Sequence, residues 1–564
     1  MKKGFWKKGM ALALSAAITL GLTACGGNSE NTEQNSQLAK ENVYTYQELE
    51  MPFAMDNTNI NAMAYLNDKL YILVNTYEYD ENGNVDNTYG CYISNADGTD
   101  GSFVELTREE REETNSWINN TLITSDGHIY AVENSTFEDS SDPDNYVYEE
   151  RYYLNCWDIS GQFLWSEQIG GNSGEDYTWC NYLLDAGEGK AMAIMGGSKY
   201  EAVVYAPDGA EISRKELDSA AFERTNLVYT REDGTLMMVT YDEDWTKLYI
   251  GSFDLATGTE GEKTELPFSN SGYNMYHGSK TDLLLTNSTG VYTWNMGDAE
   301  PTPLMNYINS DLAANNLNYI QQIDDQHFVG IYNDADTWEQ KCAYFTYVDP
   351  ADIPDKEVLV LGSEYLGSDL RTKVIEFNKT STEYRITIND YSIYNSNEDW
   401  NAGQTRLNND IISGQMPDIL VMNNIGDYSN YVSKGVLADI SKLLAEDEEL
   451  GQLEYLQNVW DAFSINGKLY AVIPSFSVRT MVAKKSLVGE PESWTMADVE
   501  AVLETMPEGA SAFGTLLRST YIYYMLSYGG SNFVDMETGK CNFTSQSFLD
   551  MLEYAKTLPA EYPE

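Results

Sequence analysis

A turn that feeds an apolar strand returns six times before residue 348, and this recurrence limits the fold more than any other feature of the chain. The units run Asn67 to Leu73, Ser125 to Val132, Gly187 to Ile194, Glu232 to Val239, Lys280 to Leu285 and Asp324 to Gly330. Anchored at Asp68, Gly127, Gly189, Gly234, Thr281 and Gln326, they lie 59, 62, 45, 47 and 45 residues apart. A second turn follows the strand pairs at Asn95–Gly98, Asp158–Gly161, Pro207–Gly209, Asp254–Gly258 and Asn295–Gly297. A period of about 45 residues holding several strands is the size of one β-propeller blade. The longer first intervals come from acidic insertions at Tyr77–Asn87 and Ser135–Tyr148. The expectation is an all-β, propeller-like domain over residues 43–350 with six blades, seven being the alternative.

By pattern alone this domain resembles propellers of the quinoprotein and YVTN type. Its Asp-Gly steps are explained by turn chemistry, because these residues accept the backbone conformations that hairpins demand. Asp80 to Asp86 clusters oxygen ligands but matches no complete calcium-loop spacing, so it reads as a solvated loop. His128, His277 and His327 are far apart, each in a strand-like stretch, which argues against a zinc site or histidine-based catalysis. Beyond Cys25, the cysteines at 91, 156, 180, 342 and 541 are odd in number and name no disulfide pair. No metal and no cofactor is expected.

Two prolines and three acids between Asp349 and Lys356 mark a linker, placed at 351–356. After it the rhythm changes to alternating strands and helices, which implies a parallel sheet. Glu357–Leu361 reads as a strand, followed by a helix capped by Ser368 with Leu370, Val374 and Phe377 at helical spacing. Tyr384–Ile388 is a second strand, Leu407 and Ile411 lie on a helix ended by Gly414, and Met416–Met422 is a third strand. This βαβαβ order is a doubly wound lobe, whose ligands sit beyond the carboxyl ends of its strands.

Several segments in the last third carry a resemblance. Ser413-Gly-Gln-Met-Pro-Asp-Ile-Leu420, Gly435 to Ile440, Asn466 to Pro474, Ser493 to Asp498, and Tyr528-Gly-Gly530 through Lys540 and Phe543 occur in that order. Together they resemble extracellular solute-binding protein family 1, the maltose-binding-protein relatives of ABC importers. The residues agree locally: Asn466-Gly467 is a hairpin turn, Thr495 with Asp498 a capping box, and Phe548, Met551, Leu552 and Ala555 one apolar stripe. The resemblance implies that 357–564 is an α/β periplasmic-binding-protein-like domain of two hinged lobes. It also implies a second lobe running beyond Glu564, so this chain would hold the first lobe and the start of the second, and bind weakly as it stands.

The same resemblance implies where a ligand would sit. The loop after the first strand offers Ser363, Glu364 and Tyr365, and the loop after Met422 offers Asn423 and Asn424. The crossing after Pro474 offers Ser475, Phe476 and Arg479, and the second lobe offers Thr520, Tyr521 and Tyr524. Arg479 could instead pair with a carboxylate, and Tyr521 and Tyr524, at helical spacing with Leu517, could pack in a core.

The N-terminus sets the location. Lys2, Lys3, Lys7 and Lys8 precede an apolar run from Met10 to Ala24 that is short for a membrane span. Leu22-Thr-Ala-Cys25-Gly26 resembles the lipobox of bacterial lipoproteins, in which the cysteine is acylated and becomes the first mature residue. Residues 1–25 are thus read as a signal peptide and 26–42 as a polar leash. The formal charge of −55, from 89 acids against 34 bases, repels nucleic acid and anionic headgroups. Expected partners are a small solute (a sugar or oligosaccharide), permease subunits, and the membrane through the lipid only. Location is the extracellular face of the cell membrane. The chain is expected not to be an enzyme: carboxylates are too abundant for a pair to discriminate, and no nucleophile elbow or phosphate loop appears. A surface adhesin or scaffold, and a propeller glycosidase or lyase, are the other readings.

Overall fold

The computed structural model describes residues 39–562 apart from 80–84, 110–114, 140–146, 174–175, 219–221, 232, 256, 269–271, 336, 396–398, 423–424, 474–475, 477–481, 491–495, 508–509, 511–515 and 536–539. The segment expected to be a signal peptide, with Cys25, most of the expected leash, Thr495 and the larger part of the Asp80–Asp86 stretch fall outside the described residues. The chain divides into two compact units, Met1–Ser433 and Lys434–Glu564.

In the first unit, four-stranded antiparallel sheets follow one another over 58–105, 115–173, 176–217, 225–265, 274–306 and 314–347. The second and third are also joined edge to edge, where Ser173 pairs with Asp176 and Gly171 with Thr178. The hairpins start where the sequence places them. Asn67 and Asp68 take φ of 50° and 61°, the left-handed pair that a two-residue turn needs to bring Leu66 opposite Lys69.

Successive first strands touch: Thr58–Leu66 meets Asn115–Ile123, which meets Asp176–Asp185, then Thr225–Thr230, then Asn274–His277. Ala314–Gln322 returns to Thr58–Leu66, which closes a ring. Second strands are apolar on both faces because each is sandwiched between sheets. On Lys69–Tyr79, Leu70, Ile72 and Val74 pack against Val329 and Ile331 of the sixth sheet. Tyr71 and Leu73, pointing the other way, pack against Ile129 and Ala131 of the second. Buried clusters of this kind join every sheet to the next and the sixth to the first. Each fully buried Leu or Ile there contributes roughly 1.5–3 kcal/mol.

The fourth strand of the sixth sheet is Tyr44–Glu48, from the other end of the domain. It pairs with Gln340–Tyr347, Tyr44 opposite Tyr347 and Glu48 opposite Ala343. The domain is therefore a six-bladed propeller whose last blade is completed by Tyr44–Glu48, the first strand among the described residues.

Beyond Pro350–Asp352 the chain enters a three-stranded parallel sheet. Glu357–Ser363 lies between Tyr384–Asp390 and Ile419–Val421, the strand order with which a doubly wound sheet begins. Two local expectations need correction. The helix Ser368–Thr380 is preceded by Gly367 as its N-cap, with no side-chain cap bond, so Ser368 is its first residue rather than its cap. Leu370 and Phe377 are exposed, and the buried face is Arg371, Thr372, Val374, Ile375 and Asn378. Val374 and Ile375 fill the space against Leu361 and Ile386. Asn378 can be buried beside them because it closes a reciprocal pair with the Ile386 backbone, donating at 2.9 Å and accepting at 2.7 Å. The next helix, Ala402–Ser413, ends at Gly414 with φ of 82°, as expected.

The first unit runs through the 351–356 segment without a break. Ile308, between the fifth and sixth sheets, packs with Leu361 and Leu366 of the parallel sheet. Arg371 donates to the Ser288 carbonyl.

In the second unit, Asn466 and Gly467 have φ of 52° and 73° and turn Ile465 back onto Lys468. Helix Arg518–Gly529 packs on helix Gln546–Thr557 through Tyr521, Met551 and Ala555, with Phe533 from the Gly530–Phe533 turn. Ser545 caps the latter helix by accepting from the Phe548 amide at 3.3 Å. A two-residue ladder, Val534–Asp535 with Lys540–Cys541, lies between them in sequence. Among the described residues no helix is long and apolar enough to cross a membrane.

Candidate functional site

Parallel pairing sets the carboxyl ends of three strands side by side: Ser363 is opposite Asp390 on one flank and Val421 on the other. The loops leaving these ends form the edge where such a sheet binds ligands.

The first loop is held by its own backbone. Ser363, fully buried, donates through Oγ to the Tyr365 carbonyl at 2.6 Å and accepts from the Tyr365 amide at 3.1 Å. Leu366 is anchored in the core directly after it. The Tyr365 backbone is thereby held, with its side chain 70% exposed, while Glu364 in the same turn is half-buried. Asn423 and Asn424, after the third strand, lie outside the described residues.

The second loop was missed by the sequence reading, although it leaves the same edge. Asp390 accepts from the Ser392 amide at 2.9 Å and hydroxyl at 2.6 Å, which caps the short turn Tyr391–Tyr394. Tyr391 is buried, and its hydroxyl donates to Asp410 at 3.0 Å; burial, then this carboxylate, push its ionisation well above the usual phenol range. Arg406 pairs with Asp410 at 3.2 Å and sits 5.6 Å from the Tyr394 ring centroid. Gly403 permits the fold-back, since a Cβ there would come within 2.3 Å of the Tyr391 carbonyl. The outcome is a braced loop that exposes Ile393 and Tyr394, with Trp400 farther along at 71% exposure. The available signal was the strand-end rule, applied to the first and third strands but not to Tyr384–Asp390.

In the second unit, Phe476 is exposed, and Ser475 and Arg479 lie outside the described residues. Tyr521 is 2% exposed, its ring 5.1 Å from that of Tyr554. The structure thus places Tyr521 in the core between two helices, where burial raises its ionisation. Tyr524, one turn on, is exposed and neighbours the Tyr528 ring at 6.2 Å. Among the described residues no three His, Cys, Asp or Glu side chains are grouped to hold a metal ion. Cys91, Cys156, Cys180 and Cys342 are buried as free thiols, pushed up to about 12 by burial.

Comparison with solved structures gives remote likenesses. An α-L-arabinanase of Penicillium chrysogenum, complexed with arabinobiose, is 12% identical over 56% of this chain and 99% of its own, with a TM-score of 0.33. A sialidase of Trypanosoma rangeli in complex with the inhibitor DANA is 10% identical over 59% and 62%, with a TM-score of 0.33. The β-propeller domain of the Trilobed protease of Pyrococcus furiosus is 10% identical over 49% and 79%, with a TM-score of 0.27. Scores this low carry no argument; the propeller stands on its closed ring of sheets. No curated protein matches the chain. Residues 374–560, which run from the first helix of the parallel sheet to the last helix of the second unit, match the bacterial extracellular solute-binding protein family. The C-terminal part of the chain is therefore a domain of that extracellular solute-binding family.

Proposed function

We propose that this chain is the capturing lipoprotein of an ABC importer, tethered through Cys25 to the outer face of the cell membrane, and that its solute is a neutral carbohydrate. The observation that carries the reading is the pair of braced aromatic loops at the strand ends, with Tyr365 and Trp400 largely exposed. Sugars present flat faces of C–H groups that aromatic rings cover, while carboxylates and amides take the hydroxyls. Glu364 stands in the Tyr365 turn, and Asn423, Asn424, Ser475, Phe476 and Arg479 remain candidates for the rest. A formal charge of −55 disfavours an anionic solute at a distance.

The role proposed is capture without chemistry. Cells carrying the intact chain should take up a labelled neutral oligosaccharide, and cells carrying Cys25→Ser should lose uptake together with membrane retention. Release of new reducing ends from a glycan panel by the purified chain would overturn the reading in favour of a glycosidase. Normal retention and processing of Cys25→Ser would remove the anchor from it.

A further inference from the structure

A cleft of about 380 Å³ opens between the first and second propeller sheets, remote in sequence from the parallel strands and lined mainly by polar side chains. Its floor is built rather than incidental. Glu133 is 3% exposed, accepting from Arg108 at 2.6 Å through one carboxylate oxygen and from Asn155 at 2.9 Å through the other. Arg108 also donates to Ser116 at 3.1 Å, and its guanidinium carbon stands 4.5 Å from the Tyr89 ring centroid. A buried ion pair of this kind is a poor stabiliser compared with apolar packing, so its presence calls for another account.

Ser135 supplies one. It lies two residues beyond Glu133 on the same strand and so on the same face. It lines the cleft and is 1% exposed, and its hydroxyl oxygen has no hydrogen-bond partner among the described residues. Asn155, which also turns toward this side through Glu133, likewise has an unpartnered amide oxygen. Buried oxygens of this sort cost free energy until a donor meets them. Glu105, Glu109 and Glu133 around the cleft oppose an anion, and Arg108, paired with Glu133, stands at its floor.

We infer that this inter-sheet cleft is a second binding site, for a small uncharged polyhydroxylated molecule of mono- or disaccharide size whose hydroxyls donate to Ser135. It is separate from the strand-end site and does not depend on it.

Hydrogen-exchange mass spectrometry of the full chain can locate such binding. D-glucose, L-arabinose, lactose and cellobiose would be titrated as probes, with glucosamine and glucose 6-phosphate as charged counterparts. The expected result is slower exchange over residues 105–109 and 131–136 with at least one neutral sugar. Half-protection should require about tenfold more sugar in Ser135→Ala. Protection should vanish in Ser116→Trp, which fills the cleft from a half-buried position and whose folding is checked by circular dichroism. Absence of protection from all four sugars, protection unchanged in a folded Ser116→Trp chain, or protection by the charged sugars alone would overturn the inference. Effects confined to the loops after Ser363 and Asp390 would overturn it as well, while leaving the strand-end proposal standing.

Discussion

Arg385 and Asp311 form an ion pair at 2.8 Å that joins the parallel sheet to the propeller. The same guanidinium nitrogen donates to the Ile308 and Asn309 carbonyls, both at 2.7 Å, so one half-buried side chain satisfies three acceptors of the opposing segment. The sheet that carries Tyr365 and Trp400 is therefore braced against a closed ring and not hung from a flexible linker.

Arg385→Ala should consequently destabilise the first unit by about 3 kcal/mol, since two carbonyls and a carboxylate lose their donor together. Urea unfolding followed by circular dichroism measures it. A change below about 0.5 kcal/mol would show that water replaces the guanidinium without cost.

Trp157→Ala tests the inter-sheet cores. Trp157 is fully buried between the first two sheets, and its indole nitrogen donates to the Thr107 carbonyl at 2.7 Å. Loss of the ring should cost about 3–5 kcal/mol in the same assay.

The turns predict an acid limit. The Thr99 hydroxyl at 2.6 Å and its amide at 3.1 Å hold the Asp97 carboxyl below its ordinary 3.8, and Thr235 does the same for Asp233. A carboxyl lowered in the folded state stabilises above its unfolded value and loses that contribution as pH falls through the folded one. The thermal midpoint should therefore fall as pH drops below the carboxyls' ordinary 3.8, and the double variant Asp97→Asn, Asp233→Asn should show a shallower fall. An unchanged slope would assign acid sensitivity to other groups.

Much of the propeller was legible because its signals are local. A left-handed pair at Asn67-Asp68 and alternation along Leu70 to Val74 need no distant partner to be read. Closure was not legible: Tyr44–Glu48 finds Gln340–Tyr347 across nearly the whole domain, and nothing near Tyr44 announces it. In the α/β part, the parallel order and the Gly414 and Asn466-Gly467 turns follow from the sequence, but the buried face of the first helix does not. Leu370 and Phe377 look like core, whereas Asn378 becomes core through its Ile386 partner, and such pairing is invisible to an apolar pattern. The same limit applies to the site. Tyr365 could be found from its strand, while the turn Tyr391–Tyr394 depends on a brace from Asp390 and Asp410 that only assembles in three dimensions. Tyr521 carries the residue type of a sugar contact and the burial of a core residue.

The central claim, neutral-sugar capture at the strand ends, is tested most directly by saturation-transfer NMR of the 564-residue chain, a method that registers weak as well as tight binding. Neutral oligosaccharides, short peptides and anionic metabolite mimics would be compared on the intact chain and on Tyr365→Ala and Trp400→Ala, two exposed sites whose loss should leave folding unchanged. The account predicts transfer to a neutral oligosaccharide that falls about tenfold or more in both variants. Transfer to a peptide or an anion alone, or to a sugar with equal strength in all three chains, would contradict it.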